Sequence, residues 1–390
     1  MREGWEYKKL GDVCTIERGG SPRPIADYIT ESADGINWIK IGDAVEGSKY
    51  ILFTKEKIRP EGIKKSRFVH KGDVILSNSM SFGKPYILGI DGCIHDGWLV
   101  LHDNNNTFSK DYLYYVLSSP IMYSNFTQLA VGGVVNNLNS NIVREVVVAI
   151  PPLSTQLSIV SELDKINELI RLKKEQLKDY DNLAQSIFYE MFGDPVVNEK
   201  GWDFKKIGEI GTVERGAGIS KKDFVEDGLP CIQYGQLHTI LGPTTRHHHS
   251  CIPESLLPKY KIAHTNDVIM AITSEDVEGS CKSTAWLGNY DIVIGSDAAI
   301  LHHEQDGTFL SYYTMTKAFF NEKSKYAKGF KVTHISAKEI ENIPVYLPPL
   351  ALQKDFAKRI EVIEHQKENI KSTIQDLETL LASRMQYWFD

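Results

Sequence analysis

The sequence predicts a mixed α/β (α+β) fold: two similar domains in tandem, each followed by one long helix. The first observation is an internal repeat, since residues 4–19 (GWEYKKLGDVCTIERG) match residues 201–216 (GWDFKKIGEIGTVERG) at nine of sixteen positions. The second is a set of short apolar runs typical of strands, and the third is an apolar heptad pattern that ends each half. A repeat of this period indicates a duplication with pseudo-two-fold symmetry.

The repeat also predicts the domain boundaries. Ile150-Pro-Pro-Leu153 with Gln156 recurs 197 residues later as Leu347-Pro-Pro-Leu350 with Gln353. We therefore predict a first domain over 1–150, a central helix over 151–195, a second domain over 196–347 and a C-terminal helix over 348–390.

Strands are predicted where short apolar runs are bounded by Gly, Asn or Asp. These runs lie at 38–41, 73–76, 98–101 and 146–150, and in the second half at 231–234, 267–271, 298–301 and 343–347. Helices are predicted at 111–119 and 309–320.

After each Pro-Pro pair, apolar residues recur at alternating steps of four and three, which is typical of a coiled coil. Pro152 and Pro349 suit the first turn of a helix. A stripe of this length needs a partner, so we expect the two helices to pair antiparallel; the alternative is that each helix folds back on its own domain. The pairing residues are predicted to be Ile159, Leu163, Ile166, Ile170, Leu177 and Ile187 with Phe356, Ile360, Ile363, Ile370, Ile374, Leu377 and Leu381.

Composition indicates a soluble protein of the cytoplasm. The five cysteines are scattered and never spaced as C-x-x-C, and no apolar run reaches the length of a membrane span. The net charge of −7 argues against a nucleic-acid partner, but local basic runs weaken that objection. Residues 55–71 carry seven Lys or Arg and residues 323–331 carry four Lys; solvated surface lysines explain any one of them equally well.

Catalytic motifs find little support in this sequence. The phosphate-binding loop, the dinucleotide fingerprint, the G-x-S-x-G elbow and the Asn/Asp-Pro-Pro-aromatic tetrapeptide of methyltransferases are absent. Arg246-His-His-His-Ser250 and the pair His302-His303 invite a metal site, but adjacent histidines point in different directions. We therefore expect a non-catalytic chain without a metal site or a cofactor of its own. The alternatives are a His-dependent metallohydrolase and a coiled-coil adaptor that binds only proteins.

Taken in order, the motifs resemble the specificity subunit of type I restriction-modification systems. The residues that carry the resemblance are Gly19-Gly-Ser-Pro22, Trp38-Ile-Lys-Ile-Gly-Asp43, Lys71-Gly-Asp-Val-Ile-Leu76 and the segment 138–156, and the duplication extends it over the whole chain. The second half departs from the pattern, with Gly-Ala-Gly-Ile at 216–219 and Thr-Asn-Asp at 265–267. Another restriction class that uses bipartite sites remains a close alternative.

The resemblance implies two target recognition domains, each binding one half of a bipartite DNA site, and helices that fix the gap between the halves. It also implies two adenine-N6 methyltransferase subunits as partners, with S-adenosylmethionine bound by those partners, and restriction-translocase subunits that can join them.

Duplication separates scaffold from specificity. Features that both halves share, such as Trp5/Trp202, Glu17/Glu214, Arg18/Arg215 and Asp73/Asp267, are expected to be structural, whereas divergent polar loops are expected to contact DNA. Amide clusters are also common in turns, so each residue has an ordinary explanation as well. The candidates are Ser21, Arg23, Ser77, Asn78, Ser79, Ser81, Lys84, Tyr86, Asn136, Asn137 and Asn139 in the first half, and Lys221, Gln233, Tyr234, Gln236, Thr273, Ser274, Lys328, Lys331 and His334 in the second.

Overall fold

The chain forms two compact units in a computed structural model. The structure describes residues 2–390 except 46, 79–82, 131–137, 220, 256–259 and 328–331. One unit comprises Met1–Lys174 with Ser372–Asp390, and the other comprises Glu175–Lys371. Each unit thus contains one α/β domain and a part of both long helices. Within the described residues, no helix has the length and apolar character that a membrane span requires.

The first α/β domain is built from strands β1 to β12 and four short helices. The strands are β1 Glu6–Lys9, β2 Cys14–Arg18, β3 Ile29–Thr30, β4 Ile36–Ile39, β5 Tyr50–Ile51, β6 Glu56–Ile58, β7 Arg67–Val69, β8 Val74–Ser77, β9 Pro85–Leu88, β10 Gly92–Ile94, β11 Trp98–Asp103 and β12 Val147–Ile150. The helices are α1 Leu10–Val13, α2 Lys110–Ser118, α3 Pro120–Ala130 and α4 Ser140–Glu145, with 3-10 turns at Ile25–Asp27, Ile41–Asp43 and Pro60–Lys65. The first long helix, α5, spans Leu153–Phe192.

The second α/β domain follows with the same kinds of element. Its strands are β13 Phe204–Lys206, β14 Gly211–Arg215, β15 Leu229–Ile232, β16 Thr244–Thr245, β17 Ser250–Ile252, β18 Lys261–Ala263, β19 Val268–Ala271, β20 Thr273–Ser274, β21 Ser283–Trp286, β22 Ile292–Ile294, β23 Ala298–His303, β24 Thr333–His334 and β25 Pro344–Tyr346. Its helices are α6 Ile207–Ile210, α7 Tyr234–Thr239, α8 Gly307–Thr314, α9 Lys317–Lys323 and α10 Ala337–Glu341, with a 3-10 turn at Lys221–Asp223. The second long helix, α11, spans Leu350–Phe389.

The two domains share one sheet topology. The first has a sheet of order β2-β11-β8-β9-β5, and the second has the equivalent β14-β23-β19-β21-β16. In both sheets the last pair is parallel and the others are antiparallel. A further sheet completes each domain, β3-β6-β4-β10-β7 in the first and β17-β15-β22-β18 in the second. The duplication seen in the sequence therefore extends to strand order.

The repeated motif folds in the same way in both halves. Residues 4–19 form β1, α1 and β2, and residues 201–216 form β13, α6 and β14. The first strand of each motif pairs antiparallel with the strand before the Pro-Pro pair, with Glu6 opposite Ile150 and Phe204 opposite Tyr346. The motif thus joins the start of each domain to its end.

Alternating side chains on the central strands divide each domain into two core layers, as the period of two requires. In β8, Val74 and Leu76 pack with the helices, whereas Ile75 packs between the two sheets. In β19, Val268 and Met270 pack with the helices, and Ile269 lies between the sheets. The candidate residues lie at the ends of these strands and in the turns beside them, some exposed and some buried.

Most predicted elements are present, with corrections at their ends. The predicted strand 231–234 ends at Ile232, because Gln233 is the N-cap of α7. The predicted helix 309–320 is two helices, since the Thr316 hydroxyl accepts a hydrogen bond from the Phe319 amide and starts a new helix. The same interruption lies at Ser119, so α3 was missed.

The two long helices start directly after Pro152 and Pro349, as the sequence predicts, and contain 40 residues each, within the predicted segments 151–195 and 348–390. In the first unit, Glu162 of α5 binds Arg384 and the indole of Trp388, and Lys174 contacts Glu378 at 2.8 Å. From Glu162 to Lys174 of α5, the contacted residue of α11 changes from Arg384 to Glu378, so residue numbers rise on one helix and fall on the other. The helices are therefore antiparallel in this unit, as predicted.

The second unit shows the same direction of pairing. Asp181 of α5 lies 2.8 Å from Lys367 of α11, and the rings of Phe188 and Phe192 pack on Phe356 with centroids 5.6 and 5.3 Å apart. The predicted pairing residues are buried along both helices, except that Leu177, Ile187, Leu377 and Leu381 are half-buried. This pairing excludes the alternative in which each helix folds back on its own domain alone.

His303, at the end of β23, is half-buried, and its two ring nitrogens are enclosed by the protein. Its neighbour His302 faces the other side of the strand, where Nδ1 lies 2.8 Å from Oδ2 of Asp267. Neither ring nitrogen of His303 has a hydrogen-bond partner among the described residues. Burial lowers the pKa of His303 to about 4, although the nearby Asp267 carboxylate opposes that shift. The imidazole is therefore neutral at neutral pH.

We predict that Phe356→Ala destabilises the second unit. Phe356 is fully buried among Phe188, Phe192 and Tyr312. Removing its ring should lower the free energy of unfolding by about 3–5 kcal/mol. The control is Val362→Ala on the same helix, where the side chain is 63% exposed and the change should stay within about 0.5 kcal/mol. Urea unfolding followed by circular dichroism measures both; equal effects would show that this seam does not stabilise the unit.

We also predict that acid destabilises the second unit through His303. The folded-state pKa of about 4 lies below the ordinary value, so between these values the unfolded chain binds the additional proton. The free energy of unfolding should therefore be complete above about pH 6.5 and fall by about 3 kcal/mol as the pH drops to about 4. His303→Leu should flatten this slope in urea-unfolding measurements across that range.

The control for this experiment is His264→Gln. The pKa of His264 is raised by its hydrogen bond to Asp291, so this group stabilises the fold at low pH and loses that contribution as the pH rises. Its removal should not flatten the acid slope. An unchanged slope in His303→Leu would contradict the prediction.

Candidate nucleic-acid interface

In the first domain, several candidate side chains meet at Asp96, in the turn between β10 and β11. The Ser21 hydroxyl donates to its Oδ1 at 2.9 Å, and Arg23 lies 3.5 Å from its Oδ2. The Asn78 amide donates to its backbone carbonyl at 3.0 Å. Three predicted residues from two separate loops are thus brought together by an acid that the sequence did not single out.

Asp96 carries a negative charge that orients its neighbours. Burial opposes ionisation, but the hydrogen bond from Ser21 and the charges of His95, Arg18 and Arg23 lower the pKa of Asp96. The Arg23 side chain is 81% exposed, so its guanidinium faces solvent while one end rests on Asp96. An oriented, exposed guanidinium is suited to guanine edges and to phosphates.

The loop that carries Ser21 and Arg23 packs against the most basic turn of the domain. A Cβ on Gly20 would lie 3.0 Å from the carbonyl oxygen of Lys65, so the two backbone segments approach closely here. Lys64 and Lys65 end the 3-10 turn Pro60–Lys65, and Lys65 donates to the Tyr28 hydroxyl at 2.6 Å. The basic run found in the sequence therefore lies beside the Asp96 cluster.

Other candidates of the first half belong to the scaffold around this cluster. Asn78 is 3% exposed, and its carbonyl accepts from the Leu138 amide. Ser77 is buried and accepts from the Lys84 amide, Tyr86 packs edge-on to Trp98, and Asn139 caps α4. Lys84 is exposed at the end of the hairpin. Ser79, Ser81, Asn136 and Asn137 lie outside the described residues. Contact of any of these residues with DNA stays a prediction.

In the second domain, Thr273, Ser274 and His334 meet where β20 pairs with β24. The Thr273 hydroxyl lies 3.3 Å from Asp297 and 3.4 Å from Nδ1 of His334. Arg215 lies 3.8 Å from Asp297, so this cluster also combines an acid with a guanidinium. It occupies the strand ends equivalent to those of the Asp96 cluster.

A second group of candidates lies at the start of α7. Gln233 is its N-cap, and the Gln236 side chain accepts from the Gln233 amide at 3.0 Å and donates to Ser250 at 2.8 Å. Tyr234 is 42% exposed beside His238, whose Nε2 lies 3.2 Å from the Thr273 carbonyl oxygen. Lys221 lies in the turn Lys221–Asp223, and Lys328 and Lys331 lie outside the described residues.

Positions shared by the two halves have structural contacts. Arg18 donates to the Asp96 carbonyl and Arg215 to the Ser296 carbonyl, each at 2.9 Å. Each bond ties the end of one strand to the turn before its neighbour. Asp73 and Asp267 accept from the amides of the third residue before them, at 2.8 and 2.7 Å, as turn formers do. These contacts agree with the structural roles expected from the duplication.

Lys282 is a further exposed lysine that the sequence did not single out. The Ala271 amide donates to its carbonyl at 2.9 Å, as the Ser77 amide donates to that of Lys84 at 3.0 Å. The two lysines therefore occupy equivalent places after the β8–β9 and β19–β21 loops. The loops differ in length, which hid the equivalence in the sequence.

The histidine run has ordinary structural contacts. Arg246 pairs with Glu361 at 2.6 Å, and His248 Nδ1 lies 2.7 Å from the Tyr290 hydroxyl. Across the described residues there is no group of three His, Cys, Asp or Glu side chains that could hold a metal ion.

The sequence of this chain is similar to that of known proteins over nearly its whole length. The model of the type I restriction modification DNA specificity domain matches residues 2–179 and again 199–379. The MjaVIII specificity subunit of Methanocaldococcus jannaschii is 23% identical, over 98% of this chain and 92% of that protein. The MjaIX specificity subunit of the same organism is also 23% identical, over 93% of this chain and 89% of its own length.

Solved structures share the fold over nearly the whole chain. A structure from work on assembly of the type I R-M system has a TM-score of 0.61 and 19% identity, covering 99% of this chain and 97% of that one. The type I restriction-modification S subunit from M. genitalium has a TM-score of 0.56 and 13% identity, covering 99% and 96%. The chain thus belongs to the type I restriction-modification specificity subunits, a non-catalytic family, and carries two copies of the DNA specificity domain.

Proposed function

We propose that this chain recognises a bipartite DNA sequence, with one half-site bound by each domain. The observation that carries the proposal is an acid paired with an arginine at the turn before the corresponding strand of each domain, Asp96 with Arg23 before β11 and Asp297 with Arg215 before β23. The two pairs are formed by residues that do not correspond in the repeat, since Arg215 corresponds to Arg18. Around each pair the side chains differ between the domains. Equivalent placement with different chemistry is what two half-sites of different sequence require.

Positive charge beside the Asp96 cluster supports the proposal that this surface of the first domain binds DNA. Arg23, Lys64 and Lys65 lie together on the loop and turn joined at Gly20. Cations at this place can hold the phosphate backbone while side chains of the Asp96 cluster approach base edges. In the second domain, Thr273, His334 and Tyr234 offer hydroxyl and imidazole groups for base edges.

Membership of the family supports a proposal about the partners. We propose that two adenine-N6 methyltransferase subunits bind this chain, that they hold S-adenosylmethionine, and that restriction-translocase subunits can join the complex. The paired helices α5 and α11 fix the spacing between the half-sites. The complex acts in the cytoplasm, where its DNA lies.

The proposal predicts chain-dependent adenine methylation. Cells that co-express this chain with its methyltransferase subunit should carry a bipartite motif, methylated at adenines on opposite strands. Single-molecule sequencing of their DNA measures it, and cells without this chain are the control. A complex that assembles but yields no chain-dependent motif would contradict DNA recognition and favour a protein adaptor.

Independent recognition by the two domains predicts that each of the equivalent lysines affects binding to one half-site only. Lys84→Ala should weaken binding about tenfold on a duplex with an intact first half-site, and Lys282→Ala should do so with an intact second half-site. Each loss should disappear when the corresponding half-site is scrambled. Fluorescence anisotropy of the complex measures both, with Lys165→Ala on the exposed side of α5 as the control. Equal losses from both variants on both duplexes would contradict independent domains.

A further inference from the structure

Lys323, the last residue of α9, has a buried ammonium group. Its side chain is 4% exposed. Nζ donates to the Glu278 carbonyl at 2.8 Å and to the Ser280 carbonyl, and it lies 5.5 Å from the Phe320 ring centroid. Burial lowers the pKa of Lys323. Burying a cation costs free energy unless hydrogen bonds compensate it, so the bonds that Lys323 makes are essential to its position.

The two carbonyls belong to the loop between β20 and β21, which is tightly folded. The Gly279 amide donates to Asp276 at 2.7 Å, and the Ser280 hydroxyl donates to the Val277 carbonyl at 2.7 Å. A Cβ on Gly279 would lie 2.3 Å from the Ser274 hydroxyl oxygen. Cys281 has a φ of 56°, a backbone conformation that a non-glycine residue adopts only when its surroundings enforce it. Lys323 binds the carbonyls on either side of Gly279, and the Cys281 amide donates to the Ala271 carbonyl at 2.8 Å, so both contacts hold this part of the loop.

The loop follows directly after two candidate recognition residues, Thr273 and Ser274. It displays the exposed side chains of Glu275 and Glu278 and ends at Lys282. Carboxylates repel phosphates, but they accept hydrogen bonds from the amino group of cytosine. The loop is therefore suited to base edges rather than to the DNA backbone.

The first domain supports its equivalent loop by different means. Ser119 and Thr316 occupy the same position, since each hydroxyl donates to the carbonyl three residues earlier at 2.7 Å. Counting seven residues on from each gives Phe126 and Lys323, and Phe126 is also buried. A Cβ on Gly83 would lie 3.3 Å from the Phe126 ring, so this phenylalanine packs against the end of the first loop.

The first domain has Phe126 where the second has Lys323, and the loops beside these two residues differ in length. Lys84 follows Ser77 by seven residues, whereas Lys282 follows Ala271 by eleven, although the same backbone bond closes both loops. The longer loop turns carbonyl groups inward, and buried carbonyls need donors. An apolar ring could not satisfy them.

We propose that Lys323 is a positioning residue for sequence recognition by the second domain. Its ammonium fixes the conformation of the loop 273–282, and that conformation determines which base pairs the second half-site must contain. The inference rests on the proposed DNA-recognition function and deepens it. It assigns a specificity role to a side chain that does not itself reach the surface.

The test uses the full chain in complex with its methyltransferase subunits, on duplexes carrying the mapped methylation motif. For each variant, the affinity for the motif is divided by the affinity for duplexes with one base pair changed, first in one half-site and then in the other. This ratio does not depend on the fraction of folded protein, so a loss of stability alone leaves it unchanged.

Lys323→Met should lower the ratio for the second half-site about tenfold and leave the ratio for the first unchanged. Lys317→Met, which alters an exposed lysine on the same helix, should change neither. If Lys323→Met does not assemble, Lys323→Gln decides, since it removes the charge and keeps an NH₂ donor; its ratio should also fall. Full discrimination in the assembled variant, or equal losses at both half-sites, overturns the role of Lys323. A parent complex that discriminates at neither half-site overturns the proposed function itself.

Discussion

The structure depends on burying two apolar stripes that are each 40 residues long. Neither stripe can stay exposed to water, and each finds the other in antiparallel orientation. At their ends the helices also meet an α/β domain, and there the buried face is wider than a heptad seam. In α5, Phe188 and Phe192 are buried whereas the predicted pairing residue Ile187 is only half-buried. The same face thus joins helix to helix and helix to domain.

Duplication imposes the second constraint, because one fold must serve two surfaces of different chemistry. The two domains keep the bonds that join strands to turns, such as those from Arg18 and Arg215. They change the residues inside and beneath the loops. Phe126 and Lys323 show that this divergence reaches the core, since the Phe126 ring packs beside Gly83 whereas Lys323 binds loop carbonyls. Specificity in this fold is therefore encoded partly by side chains that DNA cannot touch.

The sequence predicted the elements that depend on apolar periodicity. It did not predict features that depend on contacts between distant segments. The heptads gave both long helices and their pairing, since one stripe implies one partner. The break at Thr316 was missed because a hydroxyl cap competes with helical continuity only when the next turn packs well. Loop side chains were harder still. Asn78 is a predicted base-contacting amide, and its amide donates to the Asp96 carbonyl, a contact that no local pattern in the sequence indicates. The role of Asp96 was invisible because its partners come from two segments that are separate in the sequence.

The net charge of −7 has a physical consequence for the proposed recognition. A carboxylate beside a polyanion is repelled unless a cation holds it, and the acids near the strand ends are held: Asp96 by Ser21 and Arg23, Glu17 by Arg67 and Glu214 by Lys261. Such pairs cancel charge and fix the direction of a guanidinium or an ammonium. They therefore contribute geometry more than attraction. A chain built this way gains little affinity from phosphates alone. Under the proposed function, its discrimination between DNA sequences must then come from base contacts.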